Sequence, residues 1–388
     1  MGGLTLGAHV ADVLPSIGRA DRDGSSGRKF RRGSRSCPGE LASGCRREAV
    51  QAVAGGGAGA DERMRAVVIR AFGGPEVLTV ERVPRPAIGL GHTLIKVARA
   101  GVNFFDTERR AAGWTAAHLP EILGTEVAGA RVSDGRRVVG LTDGGVGGYA
   151  EYARVADEFA VPIPDDVPDT AALGVLIQGL TAWHTLRTAA GLRRDESVVI
   201  TAAAGGVGSL AIQLAKRRGA GRVIALASTE QKRRAALALG ADAAVDSALP
   251  GLTERVIAAN GGSQVDVVLE SVAGPILDAL LRTLATGGRL VAYGQASGAS
   301  NLVSVDTLMD YSIGILGFHL TPFLTDRAAT RVVITELLAA LAGRRLTVAE
   351  GPSFPIASAA DAHRLVGSGQ TSGKVTLLAD EAGWAGRN

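Results

Sequence analysis

The sequence contains little cysteine and few aromatic residues. Its 388 residues include two cysteines, Cys37 and Cys45, and only 4% are Phe, Trp or Tyr. Two cysteines cannot build a zinc lobe of four thiolates, and they argue against a framework of several disulfides. The six histidines are scattered, without the spacing of metal ligands. The low aromatic content also disfavours a nucleic-acid site based on base stacking.

The sequence also lacks a secretory leader and a clear membrane span. The segment SVVITAAAGGVGSLAIQLA is apolar, but a Gly pair interrupts it and its pattern changes from strand to helix. The excess of Lys and Arg is concentrated in residues 1–63, so the net charge of +4 does not indicate a nucleic-acid partner for the rest of the chain. Scarce cysteine is typical of a reducing compartment. We therefore expect a cytoplasmic protein without a nucleic-acid or membrane partner.

The remaining pattern predicts four segments. Residues 1–63 are rich in Gly, Ser and Arg and are expected to be a disordered N-terminal extension; a transit peptide is an alternative, which the aspartates there disfavour. Residues 64–187 are mostly short β-rich runs bounded by Gly and Pro. Residues 188–322 alternate strand and helix, which predicts a doubly wound parallel sheet. Residues 323–388 are expected to hold one long helix and a final strand.

A glycine-rich turn is the strongest chemical signal. Gly205, Gly206, Val207 and Gly208 follow the predicted strand SVVIT and open a predicted helix. Small residues in this strand–turn–helix context let backbone N–H groups approach a pyrophosphate at the helix N-terminus. The sequence therefore predicts a dinucleotide site, with a purely structural turn as the alternative.

The end of the following predicted strand favours NADPH over NADH. Sites specific for NAD usually carry an acidic residue about 20 positions after the glycine turn, on the ribose 2′-hydroxyl. Here Ser228 and Lys232 occupy this region. A hydroxyl and an ammonium group suit a 2′-phosphate, although Lys232 could also be a solvated helix residue.

Other catalytic motifs are absent from the sequence. The segment SGQTSGKV departs from the P-loop pattern at Ser368 and Val375. Each of the four tyrosines lacks a lysine four positions later, which excludes the short-chain dehydrogenase pattern, and no GxSxG elbow supports a hydrolase.

From Met64 onward the chain contains, in this order, the segments RAGVNFFDT, PEILGTEVAG, GRRVVG, GGYAEY, LIQGLTAWHTL, AAAGGVG, ALGAD, DVVLESVAG, GGRLVAYG and GFHL. With these segments in family order over about 320 residues, the chain resembles the zinc-free quinone oxidoreductase branch of the medium-chain dehydrogenase/reductase superfamily. This resemblance implies an α/β protein whose GroES-like β-rich catalytic domain is split by an inserted Rossmann domain with a doubly wound parallel sheet. It also implies a cofactor in the cleft between them and, as a further expectation, a homodimer.

The resemblance implies that carbonyl polarisation does not depend on a metal. Asn103 and Thr125 occupy the places of a zinc-binding Cys and His in zinc-dependent relatives, so their amide and hydroxyl are the expected catalytic donors. Glu126 is expected to be structural, and Tyr149 to pack in the core. Glu108 stands where many relatives have a pocket tyrosine, which leaves the substrate class open, and Trp114 is a candidate to line the pocket instead.

Further cofactor contacts are implied by position in the family segments. They are Asn103 beside the nicotinamide, and Thr181, Ser271, Gly294, Phe318, Leu320 and Lys374. The leading hypothesis is a zinc-independent reductase that transfers hydride from NADPH to a small quinone or α,β-unsaturated carbonyl. An NADPH-binding protein with little catalysis, in a structural or sensor role, is the alternative; a zinc alcohol dehydrogenase is a third, disfavoured by the missing ligands.

Overall fold

The computed structural model describes residues 62–112 and 118–385. The predicted N-terminal extension, apart from its last two residues, lies outside the described residues, and so does Trp114. The first strand begins at Arg63, one residue before the predicted start.

The described residues form sixteen strands. In chain order they are β1 (Arg63–Ile69), β2 (Thr79–Pro84), β3 (His92–Val102), β4 (Glu121–Ile122), β5 (Glu126–Arg131), β6 (Arg137–Leu141), β7 (Tyr152–Ala156), β8 (Val161–Pro162), β9 (Ser197–Ile200), β10 (Arg222–Ala227), β11 (Ala243–Asp246), β12 (Val265–Glu270), β13 (Leu284–Ala292), β14 (Gly314–Gly317), β15 (Glu350–Pro355) and β16 (Lys374–Leu378).

Helices connect and cover these strands. They are α1 (Phe104–Ala112), α2 (Asp169–Gly174), α3 (Leu180–His184), α4 (Gly206–Arg217), α5 (Glu230–Ala238), α6 (Leu252–Ala259), α7 (Pro275–Leu281), α8 (Val305–Tyr311), α9 (Arg327–Ala342), α10 (Ala359–Gly367) and α11 (Glu381–Ala385). Two π-helical segments, Val175–Gly179 and Thr185–Ala189, flank α3 and make α2 to Ala189 one continuous, irregular helix. Such π turns occur often at functional sites.

The parallel sheet has six strands in the order β11-β10-β9-β12-β13-β14. Every neighbouring pair in it is parallel. Its central strands, such as β9 and β12, are formed by β-branched and other apolar residues that are almost entirely buried, as expected when helices cover both faces. This confirms the predicted doubly wound sheet.

A second, seven-stranded sheet has the order β15-β16-β3-β5-β6-β8, with β7 also paired to β3. The strands from before the parallel sheet and those from after it thus share one sheet, as expected for a catalytic domain split by an insertion. β16 pairs antiparallel with β3, with Val375 opposite Val102. A small sheet, β2-β1-β4, completes the strands.

The C-terminal region holds more structure than the sequence predicts. Besides the long helix α9 and the final strand β16, it contains β15, α10 and α11. The expected long helix and final strand are therefore present, and the other three elements are additions that the sequence did not predict. No helix among the described residues is long and apolar enough to cross a membrane.

Candidate active site

A glycine-rich turn joins β9 to α4 at the carboxyl edge of the parallel sheet. A Cβ atom on Gly208 would lie 2.5 Å from the carbonyl oxygen of Ala202, and one on Gly206 would lie 2.2 Å from the side-chain amide of Gln178. Gly205, which precedes α4, has no side chain with which to cap the helix. The first amide groups of α4 are therefore open to an anion.

Two further features of this turn fit a bound dinucleotide. Ala202 has a φ of 45°, a left-handed conformation that is costly for a residue with a side chain. The Oε1 atom of Gln178 is buried and has no hydrogen-bond partner among the described residues. Backbone strain and unpaired buried acceptors are typical of ligand sites. Val207, in the first turn of α4, is partly exposed at the same place.

The predicted 2′-phosphate residues follow the neighbouring strand, β10. Ser228 is the first residue after this strand and is exposed. Thr229 caps α5 by accepting a hydrogen bond from the amide of Lys232, at 3.2 Å. The Lys232 ammonium donates to the carbonyl oxygen of Gly369 at 3.1 Å, in the loop before β16. Ser228 and Lys232 thus lie at the same sheet edge as the glycine-rich turn.

Ser271 and Gly294 follow β12 and β13 at this edge. The amide of Ser271 donates to the hydroxyl of Thr201 at 2.9 Å, which ties it to the start of the glycine-rich turn. A Cβ atom on Gly294 would lie 3.0 Å from the carbonyl oxygen of Ser271. Tyr293 is hydrogen-bonded to Ser271, and burial raises the pKa of the Tyr293 phenol to about 12, so it stays neutral at physiological pH. The predicted positions therefore follow neighbouring strands at one edge of the parallel sheet, which is where open α/β sheets bind ligands.

Phe318, Leu320 and Thr181 lie on an apolar side of the site. The ring of Phe318 stacks on that of Phe323 at a centroid distance of 5.1 Å, and His184 of α3 lies 4.9 Å from Phe323. Leu320 packs partly buried against the same core. Thr181, in the first turn of α3, is nearly buried. Burial lowers the pKa of His184, which favours its neutral form in these surroundings.

Asn103 is held in a buried polar network at the end of β3. Its Nδ2 group donates to Glu126 Oε1 at 3.0 Å, and its Oδ1 atom accepts from Lys374 Nζ at 2.9 Å. Lys374 also forms an ion pair with Glu126, and neither side chain has exposed surface. Lys374 thus holds the side chain of Asn103 in place. The expected contact between Lys374 and a cofactor is not possible here, because the Lys374 side chain has no exposed surface. Glu126 is structural in this sense, as expected.

Thr125 and Asp106 extend the network. The Thr125 hydroxyl donates to Asp106 Oδ1 at 3.0 Å. The backbone N–H group of Asn103 donates to Asp106 Oδ2 at 2.8 Å. Burial, with a smaller contribution from the Glu126 charge, raises the pKa of Asp106 to about 6. While Asp106 is ionised, the Thr125 proton is directed at this carboxylate rather than at a substrate.

The network is connected to the glycine-rich turn through one backbone amide. The N–H group of Ile177 donates to Glu126 Oε2 at 2.9 Å. The next residue, Gln178, lies with its side-chain amide against Gly206. Because Glu126 also holds Asn103, the Asn103 side chain and the glycine-rich turn are linked through Ile177 and Gln178, two consecutive residues of a π-helical segment.

Tyr149 and Glu108 lie around this network. Tyr149 is fully buried, as expected, and its hydroxyl group lies 3.1 Å from His363 Nε2. Burial lowers the pKa of His363 to about 3, so the ring that contacts Tyr149 is neutral. Glu108 is partly exposed on α1, and burial raises the pKa of its carboxyl group.

Asp106 and Gln178 are the site residues that sequence reasoning missed. Both lie inside segments that carry the family resemblance, NFFDT and LIQGLTA. The sequence does contain a signal for Asp106. A carboxylate in the first turn of a helix can accept a hydrogen bond from the backbone N–H group just before the helix, which here belongs to Asn103. No local signal indicates that Gln178 reaches the glycine-rich turn.

Comparison with known proteins places this architecture in a family. Residues 89–165 match the model of the alcohol dehydrogenase GroES-like domain, and residues 206–335 match that of the zinc-binding dehydrogenase. A probable quinone oxidoreductase of Schizosaccharomyces pombe is 35% identical over 317 residues, which cover 79% of this chain and 93% of that protein. The chain belongs to the medium-chain dehydrogenase/reductase superfamily, in its quinone oxidoreductase-like branch.

Two further relatives are similar over most of their length. The 2-haloacrylate reductase of a Burkholderia species is 30% identical over 332 residues, covering 81% of this chain and 98% of that protein. The quinone oxidoreductase of Thermus thermophilus, solved alone and with NADPH, is 36% identical, with a TM-score of 0.72 over 81% of this chain and 100% of that one.

The residues at the former metal position do not fit the zinc of the zinc-binding dehydrogenases. Asn103 and Thr125 supply an amide and a hydroxyl, which are poor zinc ligands, and both are already engaged with carboxylates. Among the described residues, no group of three or more His, Cys, Asp and Glu converges as a metal site would require. Zinc independence stays a prediction.

Proposed function

We propose that this protein is an NADPH-dependent, zinc-independent reductase of quinones or α,β-unsaturated carbonyls. The observation that carries the proposal is the contact series Asn103–Glu126–Ile177, continued by Gln178 against Gly206. This series supports a single site that contains both the hydrogen-bond donor to a carbonyl oxygen, Asn103, and the dinucleotide turn. The similarity to a quinone oxidoreductase solved with NADPH supports the same cofactor here.

The cofactor would be held along the carboxyl edge of the parallel sheet. The turn from Gly205 to Gly208 suits its diphosphate through the amides of Gly206, Val207 and Gly208, since the Gly205 amide already donates to Ala202. Ser228 and Lys232 suit the 2′-phosphate because they supply a hydroxyl and a positive charge. The remaining predicted contacts are Thr181, Ser271, Gly294, Phe318 and Leu320, at the carboxyl edge or on its apolar side. When bound, NADPH supplies the hydride.

Asn103 is the residue to which we assign the substrate oxygen. Its amide has two N–H donors, of which one is directed at Glu126 and the other can bind a developing enolate or phenolate oxygen. Lys374 donates to the amide oxygen and so makes the N–H groups more positive. Stabilisation of the developing negative charge by such a preorganised donor is the expected source of rate enhancement.

Thr125 has a secondary role in this proposal. Its proton is held by Asp106, so it donates to a substrate only after turning away from that carboxylate. Its contribution is therefore to keep Asp106, and through it the backbone amide of Asn103, in place. The proton that completes the reduction comes from water or from a side chain that the proposal leaves unassigned.

The test is the oxidation of NADPH in the presence of a panel of benzoquinones, naphthoquinones, enones and a 2-haloacrylate. Turnover of at least one class is expected, and the similarity to a 2-haloacrylate reductase supports including acrylates. Tight NADPH binding without turnover of any member would contradict the reductase and favour the alternative, a cofactor-binding protein. Metal analysis of the active protein tests zinc independence.

We also propose a cytoplasmic homodimer that forms through β14, the open edge of the parallel sheet. An edge strand offers unpaired N–H and C=O groups that a second copy can pair with. Around it lie exposed apolar side chains from β14 and the segment preceding it: Leu302, Val305, Met309, Tyr311 and Leu316. Apolar side chains clustered beside an open edge support an interface between copies.

A further inference from the structure

Three arginines surround a cavity at the far end of α4. The cavity has a volume of about 120 Å³ and is lined by Arg187, Arg217 and Arg218, together with Trp183, Glu336 and two leucines. It lies between the π-helical segment Thr185–Ala189, the last turn of α4, and α9.

This cavity is separate from the candidate active site. Gly206 begins α4 and Arg217 ends it, so the two ends of the helix lie about 16 Å apart at 1.5 Å per residue. The glycine-rich turn is at the first end and the arginines are at the second. A ligand in the cavity would therefore not compete with the dinucleotide for the same groups.

The arginines carry more positive charge than their surroundings neutralise. Arg187, Arg217 and Arg218 form no salt bridge with any described residue, whereas the adjacent Lys216 is paired with Asp242 at 2.8 Å. Burial and the charge of Arg187 lower the pKa of Arg218, while Glu336 opposes this effect. The three arginines are exposed and Glu336 is the one acidic side chain in the lining, so the cavity carries a net positive charge that attracts anions.

The side chains are already fixed in place by other contacts. The Arg187 guanidinium lies over the Trp183 ring, 4.8 Å from its centroid. Arg218 donates to the carbonyl oxygen of Leu192 at 3.2 Å, and Arg217 to that of Arg345 at 3.3 Å. Each guanidinium has five N–H groups, so donors remain for a ligand, and less side-chain entropy is lost when it binds.

We propose that this cavity binds a small organic anion whose single carboxylate or phosphate group is attached to a flat apolar body. The planar guanidinium forks match the oxygen geometry of both groups. The partly exposed Trp183 ring, backed by the buried Leu186 and Leu214, offers an apolar surface to the rest of the ligand. Glu336, the one acidic side chain in the lining, disfavours a second negative group.

The intrinsic fluorescence of Trp183 provides the test in the full-length protein. Benzoate and phenyl phosphate are titrated at constant ionic strength, with benzamide as a neutral isostere. At least one of the two anions is expected to bind with a Kd below about 1 mM. The Arg187→Gln and Arg218→Gln variants should each bind about tenfold more weakly, because each loses a charge-assisted hydrogen bond. Arg136→Gln, which removes an exposed arginine from the connection between β5 and β6, should bind normally.

The titrations also identify the ligand group and exclude a trivial signal. Preference for benzoate assigns a carboxylate, and preference for phenyl phosphate assigns a phosphate monoester. The proposal is overturned if neither anion binds in this range, if benzamide binds equally well, or if the arginine variants bind as the wild type does. It is also overturned if the fluorescence change persists in Trp183→Phe, since the signal would then come from another tryptophan.

Discussion

Lys374 and Glu126 form an ion pair without exposed surface, although 248 positions separate them in the sequence. Lys374→Met should lower the free energy of unfolding by about 3–5 kcal/mol, because it leaves the Glu126 charge buried and uncompensated. The double variant Lys374→Met, Glu126→Gln should lose less of the free energy of unfolding than Lys374→Met alone. Urea denaturation measures both. Lys216→Met, in a partly exposed pair, is the control and should change stability by no more than about 1 kcal/mol. A double variant as unstable as Lys374→Met would contradict this account.

Asn103→Ala should impair the chemical step rather than cofactor binding. Removal of one preorganised donor to a developing oxyanion typically lowers kcat by about 10²–10³. The Glu126–Lys374 pair remains in this variant, so NADPH affinity should change little. Steady-state kinetics and a fluorescence titration of NADPH separate the two quantities. An increase in KM at unchanged kcat would show that Asn103 contributes only to binding.

Lys232→Ala should weaken the binding of NADPH selectively. Loss of a charge-assisted hydrogen bond to the 2′-phosphate corresponds to roughly tenfold to hundredfold in Kd. NADH lacks this phosphate, so its affinity should barely change. Arg234→Ala, on the exposed face of the same helix, is the control. If both cofactors weaken equally, Lys232 acts through its bond to Gly369; a wild type that prefers NADH would contradict the assignment outright.

Asp106 should make the folded state less stable as the pH rises. Its pKa is about 6 in the folded protein and near 3.8 when unfolded, so the folded state binds more protons between these values. Its stabilising contribution is complete below pH 3.8 and is lost as the pH rises through 6. When the pH is raised from 4 to 7, the free energy of unfolding of Asp106→Asn should therefore increase by about 2 kcal/mol relative to that of the wild type. Urea denaturation at both pH values measures this; a pH-independent difference would contradict it.

Charges on the edge of the parallel sheet should separate the proposed dimer. The double variant Met309→Lys, Leu316→Lys places like charges from two copies opposite each other, where they repel. Light scattering is expected to give twice the chain mass for the wild type and the chain mass for the variant. Val332→Lys, at an exposed apolar position on α9, should leave the dimer intact. A monomeric wild type would overturn the dimer.

The parallel sheet could be predicted because its signals are local. The central strands β9, β10 and β12 are short, mostly apolar runs, and the glycine-rich turn marks the start of α4. β15 escaped prediction for the opposite reason. Its sequence, EGPSFP, contains glycine and two prolines, which are rare in strands, and it is tolerated at the edge of its sheet beside β16.

The candidate site was only partly predictable. Gly205 to Gly208, Ser228 and Ser271 lie at strand ends, so their placement at one sheet edge follows from topology. The bond between Lys374 and Asn103 depends instead on the register between β16 and β3. No local pattern encodes that register, because strands so distant in sequence are brought together by the packing of the whole protein.

The pairing of β16 with β3 also has a consequence for the order in which the molecule assembles. Asn103 and Glu126 leave the ribosome before any strand of the parallel sheet, and Lys374 leaves after all of them. Contacts over such long separations form late, because the intervening chain must first become compact. Until β16 docks, the Glu126 carboxylate has no counterion and the Asn103 amide is held on one side only. The polar network at the candidate site is therefore among the last parts of a newly made chain to mature.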